Sequence, residues 1–254
     1  MPQFESDGHA IAYDEFGGPD AKRRIVLVHG FSSNKSEGWK RMGWYDAFAA
    51  KGFKGVALDA RGHGQSAKPH EPAAYDRKAM AHDIVALMDH VGFARANLLG
   101  FSMGSHLSLT AGLLWPERFG DLILGGIGGR LLEDEPRDDS MAEAMEAEDP
   151  ATIADPMRRS FRQFADEQGE DRLALAACSR GARFPIDRAA LSKLDLATLV
   201  VAGSHDELAG NPRTLAQAIP GAKAVSIPGC DHFSIIAHAL FKASVIDFLE
   251  GFMD

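Results

Sequence analysis

A doubly wound α/β domain, built on a mostly parallel sheet and interrupted by a small helical insertion, is the fold class this sequence predicts. Three observations predict it. Short apolar runs recur without alternating apolar and polar residues, as strands buried on both faces require. Helix-period stretches lie between them, and strand followed by helix, repeated, means a sheet covered on both faces. The alternation breaks over residues 130–188, where strand patterns disappear, and resumes afterwards.

The strand runs are Ile25-Val26-Leu27-Val28, Val56-Ala57-Leu58, Asn97-Leu98-Leu99, Leu122-Ile123-Leu124 and, after the break, Leu199-Val200-Val201. From Asp76 to Val91, Met80, Ile84, Met88 and Val91 fall at helical spacing, with Gly92 as the stop. Phe241, Val245, Phe248 and Leu249 repeat such a stripe near the C-terminus. Within the break, Asp149-Pro150 and Asp155-Pro156 each read as an N-cap followed by proline in the first helical turn. Gly169 and Gly181 read as stops. Met157, Phe161 and Phe164 share one helical face. Residues 133–149 hold nine acidic side chains and one basic one, Arg137, as a solvated cap segment would. The expected organisation is a core made of residues 1–129 and 189–254 with a helical cap over residues 130–188.

A chain of 254 residues, 45% apolar and 25% charged, can bury a sizeable core without staples. Its net charge of −9 argues against nucleic acid or an anionic membrane as partner, since both reward positive charge. No apolar run approaches the roughly 18–20 residues of a bilayer span. The N-terminal residues show no basic region followed by an apolar stretch, so the expected compartment is the cytoplasm. Two cysteines, Cys178 and Cys230, do not make a disulfide framework and are expected as free thiols. His29, His63, His205 and His232 are scattered, with no metal-binding helical spacing, and no G-x-G-x-x-G opens the first helix. The expectation is therefore no metal, no cofactor, and a small molecule as the partner.

The chemistry centres on Gly100-Phe101-Ser102-Met103-Gly104, a G-x-S-x-G directly after an apolar strand and before a helix. A serine on so sharp a strand-to-helix turn needs small neighbours, and the turn presents its hydroxyl at a helix N-terminus. An activated serine needs a base, and the base needs an orienting acid. In an α/β sheet both should follow the serine, beyond the carboxyl ends of later strands. Asp206 stands just past the run 199–201, and His232 just past an apolar stretch that includes Val225 and Ile227. Ser102 is thus the expected nucleophile, His232 the base and Asp206 the acid, with Glu133 the alternative acid. Asp231 adjoins the histidine but should point away from it. His205 reads as a loop residue and His238 as a helix-surface one. The oxyanion that forms needs two donors: the N–H of Met103, after the nucleophile, and that of Phe31, in the turn His29-Gly30-Phe31. His29 is expected to brace that turn.

These motifs, in this order, resemble the α/β-hydrolase superfamily over nearly the whole chain. His29-Gly30-Phe31 is similar to its oxyanion turn. Asp59-Ala-Arg-Gly-His-Gly-Gln-Ser66 is similar to its D-x-R-G-x-G-x-S loop, which the resemblance makes structural. Residues 100–104 resemble the nucleophile elbow, 203–206 the acid loop and 231–232 the histidine loop. One departure is Asp231, which stands where the family usually has glycine. The resemblance implies a serine hydrolase, with carboxylic ester hydrolysis first and carbon–carbon or lactone cleavage by the same residues as the alternative. A non-catalytic receptor on this fold typically lacks part of the triad, and all three members are present here. Serine at the elbow argues against the dehalogenase branch, which resembles this chain with aspartate there. The net charge and the acidic cap lead to an expectation of small neutral esters, since a negative rim repels carboxylates. Arg180, Arg183 and Arg188 then read as exposed partners of the cap acids, and Phe161 and Phe164 as residues that pack on the core or wall an acyl pocket.

Overall fold

The computed structural model describes residues 2–133 and 138–253, so Asp134, Glu135 and Arg137 of the acidic segment lie outside the described residues. The chain opens with β1 (Gln3–Ser6) and β2 (His9–Phe16), then β3 (Arg23–Val28), α1 (Trp44–Ala50) and β4 (Phe53–Leu58). After these come α2 (Arg77–His90), β5 (Ala96–Phe101), α3 (Met103–Leu114) and β6 (Phe119–Gly125). Four helices follow: α4 (Ser140–Glu146), α5 (Pro156–Gln168), α6 (Arg172–Arg180) and α7 (Arg188–Leu191). The chain closes with β7 (Thr198–Gly203), α8 (Pro212–Ala216), β8 (Lys223–Ile227) and α9 (Ala239–Leu249).

The strands form one sheet in the order β1-β2-β4-β3-β5-β6-β7-β8, antiparallel at β1–β2–β4 and parallel from there on. The apolar runs work as a two-faced sheet requires. Val26, Val28, Leu98, Leu124 and Val200 pack on one face, against residues of α2 and α3. Ile25, Leu27, Leu99, Ile123, Leu199 and Val201 pack on the other, against residues of α1 and α9. Alternate residues of one strand serve opposite faces, and this is why the runs are continuous.

Helix ends follow the signals in the sequence. Asp76 caps α2 by accepting from the N–H groups of Lys78 and Ala79. Asp155 caps α5 through the N–H of Arg158, with Pro156 in its first turn and Gly169 left-handed at its end. Gly181 follows the last residue of α6 but is not left-handed; a Cβ there would lie 2.2 Å from the carbonyl oxygen of Tyr75. That glycine is required by packing rather than by handedness.

Between β6 and β7 the described residues form helices and no strand. They share a small apolar cluster of Ala142, Met145, Phe161, Ala165, Leu175 and Ala176, against which Phe31 packs. No described helix is long and apolar enough to cross a membrane. Cys178 and Cys230 are both free and buried.

Candidate active site

Ser102 sits between β5 and α3 at φ 52°, ψ −115°, a left-handed conformation rare for a residue with a Cβ. The flanking glycines make the turn possible. A Cβ on Gly100 would lie 2.3 Å from the carbonyl oxygen of Gly104, and one on Gly104 would lie 2.0 Å from that of Val28. The turn is pinned from beneath, where Ser102 N–H and Ser105 Oγ–H both donate to the Gly125 carbonyl, at 2.8 and 2.7 Å.

His232 and Asp206 converge on this serine from beyond β8 and β7. Asp206 Oδ1 and Oδ2 lie 3.0 and 2.9 Å from His232 Nδ1. A carboxylate can only accept, so Nδ1 carries the proton and Nε2 of the neutral ring has a free lone pair. Ser102 Oγ lies 2.9 Å from that Nε2 and donates to it. Asp206 Oδ1 also accepts from the Ala209 N–H at 2.9 Å, fixing the carboxylate. Asp206 and His232 are both buried. The arrangement can draw a proton from the serine into a ring whose other nitrogen is held by an anion.

The other histidines and acids stand elsewhere. Asp231 turns away to accept from the N–H groups of Phe233 and Ser234. His205 is exposed. His238 caps α9 through the Leu240 N–H, rather than lying on the helix surface. Glu133 is exposed and pairs with Arg130 at 2.9 Å.

The turn after β3 reaches the serine closely: a Cβ on Gly30 would lie 3.3 Å from Ser102 Cβ. Among the described residues, the N–H groups of Phe31 and Met103 have no protein acceptor, so both can donate to a bound oxygen. His29 is wholly buried, donating from Nδ1 to the Gly30 carbonyl at 2.8 Å and accepting at Nε2 from the Ala60 N–H at 3.0 Å. Burial pushes its pKa down, and both nitrogens are occupied in bracing the turn. The loop from Asp59 to Ser66 supports the same wall. Asp59 accepts from Lys35 N–H, Lys35 Nζ and Gln65 N–H, at 2.7, 2.6 and 2.9 Å. Glu170, between α5 and α6, accepts from the Gly64 N–H at 2.8 Å, tying the helical segment to that loop.

Ser102 lies in the wall of a cavity of about 360 Å³ that overlaps two unlike ones sharing the same serine. One, of about 320 Å³, is lined by Phe31, Met42, Phe161, Phe164, Phe233 and Ile236, with His232 beside the serine. The other, of about 570 Å³, is lined by Arg77, Met103, His106, Thr110, Glu133 and Arg183. Arg77 and His106 were not singled out by the sequence. His106 could have been, since it follows Ser102 by four residues on one helix and so shares its face. Nothing in the sequence aims Arg77, whose placement comes from tertiary contact with Cys178. Desolvation, with the charges of Arg77, Arg183 and His232 added, pulls the His106 pKa down to about 4, so its ring is neutral near pH 7.

The acidic segment is partly compensated. Of its described acids, Glu133 pairs with Arg130, Asp138 with Arg158, and Asp139 and Glu146 both with Arg180. Arg180 therefore balances cap acids as expected from the sequence, whereas Arg183 lines the cavity beside the serine. Arg188 lies exposed in α7.

Known proteins agree with this architecture. Residues 23–159 match the family model for the alpha/beta hydrolase fold. The chain is 35% identical over 123 residues to the dihydrolipoyllysine-residue acetyltransferase component of an acetoin cleaving system from Pseudomonas putida, and 34% identical over 125 residues to a 2-hydroxy-6-oxononadienedioate/2-hydroxy-6-oxononatrienedioate hydrolase from Paraburkholderia phymatum. Each match covers 47% of this chain but only 30% and 41% of the relatives' own lengths. The enol-lactonase from Burkholderia xenovorans LB400 superposes with a TM-score of 0.78 at 25% identity, covering 98% of this chain and all of that one. The family match takes in more than half of the 254 residues, from β3 through the elbow into the helical segment, and the chain belongs to the alpha/beta hydrolase fold family.

Proposed function

We propose that the chain is a serine hydrolase that cleaves carboxylic esters, lactones among them, through an acyl-enzyme on Ser102. The observation that carries this reading is the continuous chain from Ser102 Oγ through His232 to Asp206, each link at 2.9–3.0 Å. In the first half-reaction Oγ attacks the carbonyl carbon as His232 Nε2 takes the hydroxyl proton. The N–H groups of Phe31 and Met103 receive the oxyanion. The bond to the alcohol oxygen then breaks, and Nε2 gives its proton to that oxygen. Water repeats the sequence on the acyl-enzyme, losing a proton to Nε2, and the acid leaves as the proton returns to Oγ. Asp206 stays anionic throughout and stabilises the imidazolium. A fluorophosphonate probe should label Ser102 and no other serine; absence of labelling in a folded sample, or labelling elsewhere, would remove the nucleophile.

Carbon–carbon bond hydrolysis by the same residues is the second reading. It draws on the likeness to the oxononadienedioate hydrolase and on the arginines beside Ser102. Comparing esters, lactones and vinylogous diketones as substrates, against Ser102→Ala, separates the two.

In this reading Phe161 and Phe164 differ in role. Phe161 is 6% exposed, belongs to the apolar cluster of the helical segment and stands edge-on to Phe31, with ring centroids 6.1 Å apart. Phe161→Ala should cost about 3 kcal/mol of stability, as truncation of a buried aromatic does, and also shift the preferred acyl length. Phe164 is only half-buried and lines the apolar cavity. Phe164→Ala should shift the preference toward longer chains with little loss of thermal stability. A series of p-nitrophenyl esters from acetate to decanoate, run beside melting curves, reads both. An unchanged preference in both variants would confine these rings to packing.

A further inference from the structure

We infer that the cavity walled by Arg77, His106 and Arg183 holds the carboxylate of an anionic substrate while its ester or lactone carbonyl lies at Ser102; this rests on the serine-hydrolase reading. The substrate class is then a monoester of a dicarboxylic acid, or a lactone bearing a carboxylate arm. The neutral-ester expectation rested on an acidic rim, and four acids of that rim are paired with arginines outside the cavity's guanidinium pair.

Arg77 lacks a carboxylate partner among the described residues. A guanidinium has five N–H donors and keeps its charge, and a partly buried one normally faces a carboxylate. Arg77 is half-buried, and its donors meet Met80 Sδ at 3.1 Å, Cys178 Sγ at 3.5 Å and the Cys178 carbonyl at 3.3 Å. Two of those acceptors are sulfur and weak. Among the described residues no carboxylate pairs with it, nor with Arg183. Both line the cavity that contains Ser102. Two guanidinium groups beside a nucleophile, neither in ion-pair contact with a carboxylate and Arg183 feeling Asp138 only at longer range, are a ready partner for an anion, and the planar fork matches a carboxylate.

The rest of the wall selects the kind of anion. His106 is neutral near pH 7 and can hydrogen-bond without adding charge. Glu133 shares the wall and offsets part of its positive field, which favours a monoanion over a doubly charged phosphate. Leu131, Phe184, Pro185 and Ile186 add apolar lining that suits a short carbon arm. With the aromatic cavity on the same serine, the site accommodates a substrate that is apolar at one end and anionic at the other.

The test uses p-nitrophenyl butyrate and mono-p-nitrophenyl succinate, which differ by a carboxylate. In the wild type kcat/KM should favour the succinate ester. Arg77→Gln should lower the ratio of the two kcat/KM values by about 10- to 100-fold, the range for a lost hydrogen bond to a charged group. Arg77→Lys should recover part of it, because charge returns without the fork. Arg183→Gln should lower the ratio less, and the difference should shrink with salt, because Arg183 is exposed. Should Arg77→Gln fail to fold, the Lys and Arg183 variants carry the same readout. Competitive inhibition of butyrate hydrolysis by glutaramate should exceed that by inorganic phosphate. A ratio near one in the wild type, a ratio unmoved by both arginine variants, or phosphate binding as well as glutaramate would overturn the assignment. Calorimetric titration with glutaramate keeps the two readings apart. Binding to the wild type but not to Arg77→Gln, in a protein whose Ser102 takes no fluorophosphonate, would uphold the anion site and remove the hydrolase. Labelled Ser102 without glutaramate binding would do the reverse.

Discussion

Ser102→Ala should leave a folded protein whose kcat is about 10⁵- to 10⁶-fold lower, the scale of removing a triad nucleophile. What remains comes from binding and from the Phe31 and Met103 donors. Alanine keeps the Cβ, so the strain at φ 52° persists and stability changes only by the lost hydrogen bond to His232, about 1 kcal/mol. Ser102→Gly separates the chemistry from the strain. Glycine adopts this backbone conformation without steric cost, so that variant should be equally inactive yet melt at or above the wild-type temperature. The site is then a place where the fold holds a serine in a conformation it resists because the reaction needs the hydroxyl there. Activity of Ser102→Ala within about 100-fold of wild type, against that scale, would show that another group attacks.

Most of the sheet was legible because a parallel strand buried on both faces has no choice but to be apolar throughout. The runs 25–28 and 97–99 lie in the two strands at the centre of the sheet, and 199–201 in the strand beside its β8 edge, where it is still covered on both faces. The antiparallel pair β1–β2 was not read, since its strands are at or near the edge and carry polar residues such as Asp14 and Glu15. A signal was present all the same. Asp7-Gly8 joins the two strands with both residues at positive φ, 48° and 77°, the requirement of a two-residue hairpin turn. In α9 the stripe of Phe241, Val245, Phe248 and Leu249 packs on the core, Phe248 only half-buried, and Ile246 joins it because the face that meets the sheet is set by tertiary contact.

At the site, the residues fixed by local geometry could be read and those fixed only by tertiary approach could not. Gly100 and Gly104 announce the elbow because backbone atoms crowd them from within their own turn and from β3. Asp206 and His232 follow strands, so the topology delivers them to the same edge. Arg77 carries no such mark. It occupies the first turn of α2 after an N-cap aspartate, where an arginine would ordinarily face solvent, and it reaches the cavity because α6 brings Cys178 against it. The charge balance of the acidic segment is hard to read from the sequence for a related reason. Counting charges along residues 133–149 omits the arginines at 130, 158 and 180 that the folded helices set against them.

Asp206→Asn should lower kcat by roughly 10²- to 10⁴-fold without disturbing the fold, and the reason lies in which atoms surround the carboxylate. Oδ1 accepts from the Ala209 N–H as well as from His232 Nδ1, and Oδ2 accepts from Nδ1 alone. An asparagine that keeps its oxygen toward Ala209 must place its NH₂ where Oδ2 stood, 2.9 Å from Nδ1. Two donors cannot share that contact, so the ring proton moves to Nε2 and the nitrogen facing Ser102 Oγ loses its lone pair. The opposite orientation sets the NH₂ against the Ala209 N–H and meets a donor there instead. Either way the substitution removes the anion that stabilises the imidazolium and opposes the only tautomer that can accept the serine proton. Stopped-time assays on p-nitrophenyl butyrate, with melting curves as the control for folding, read the effect. ¹⁵N spectra of the imidazole should show the proton shifted from Nδ1 to Nε2. Near wild-type turnover in Asp206→Asn would mean that another acid orients the ring. Glu133 would be first to try, although its pairing with Arg130 on the exposed side of the cavity argues against it.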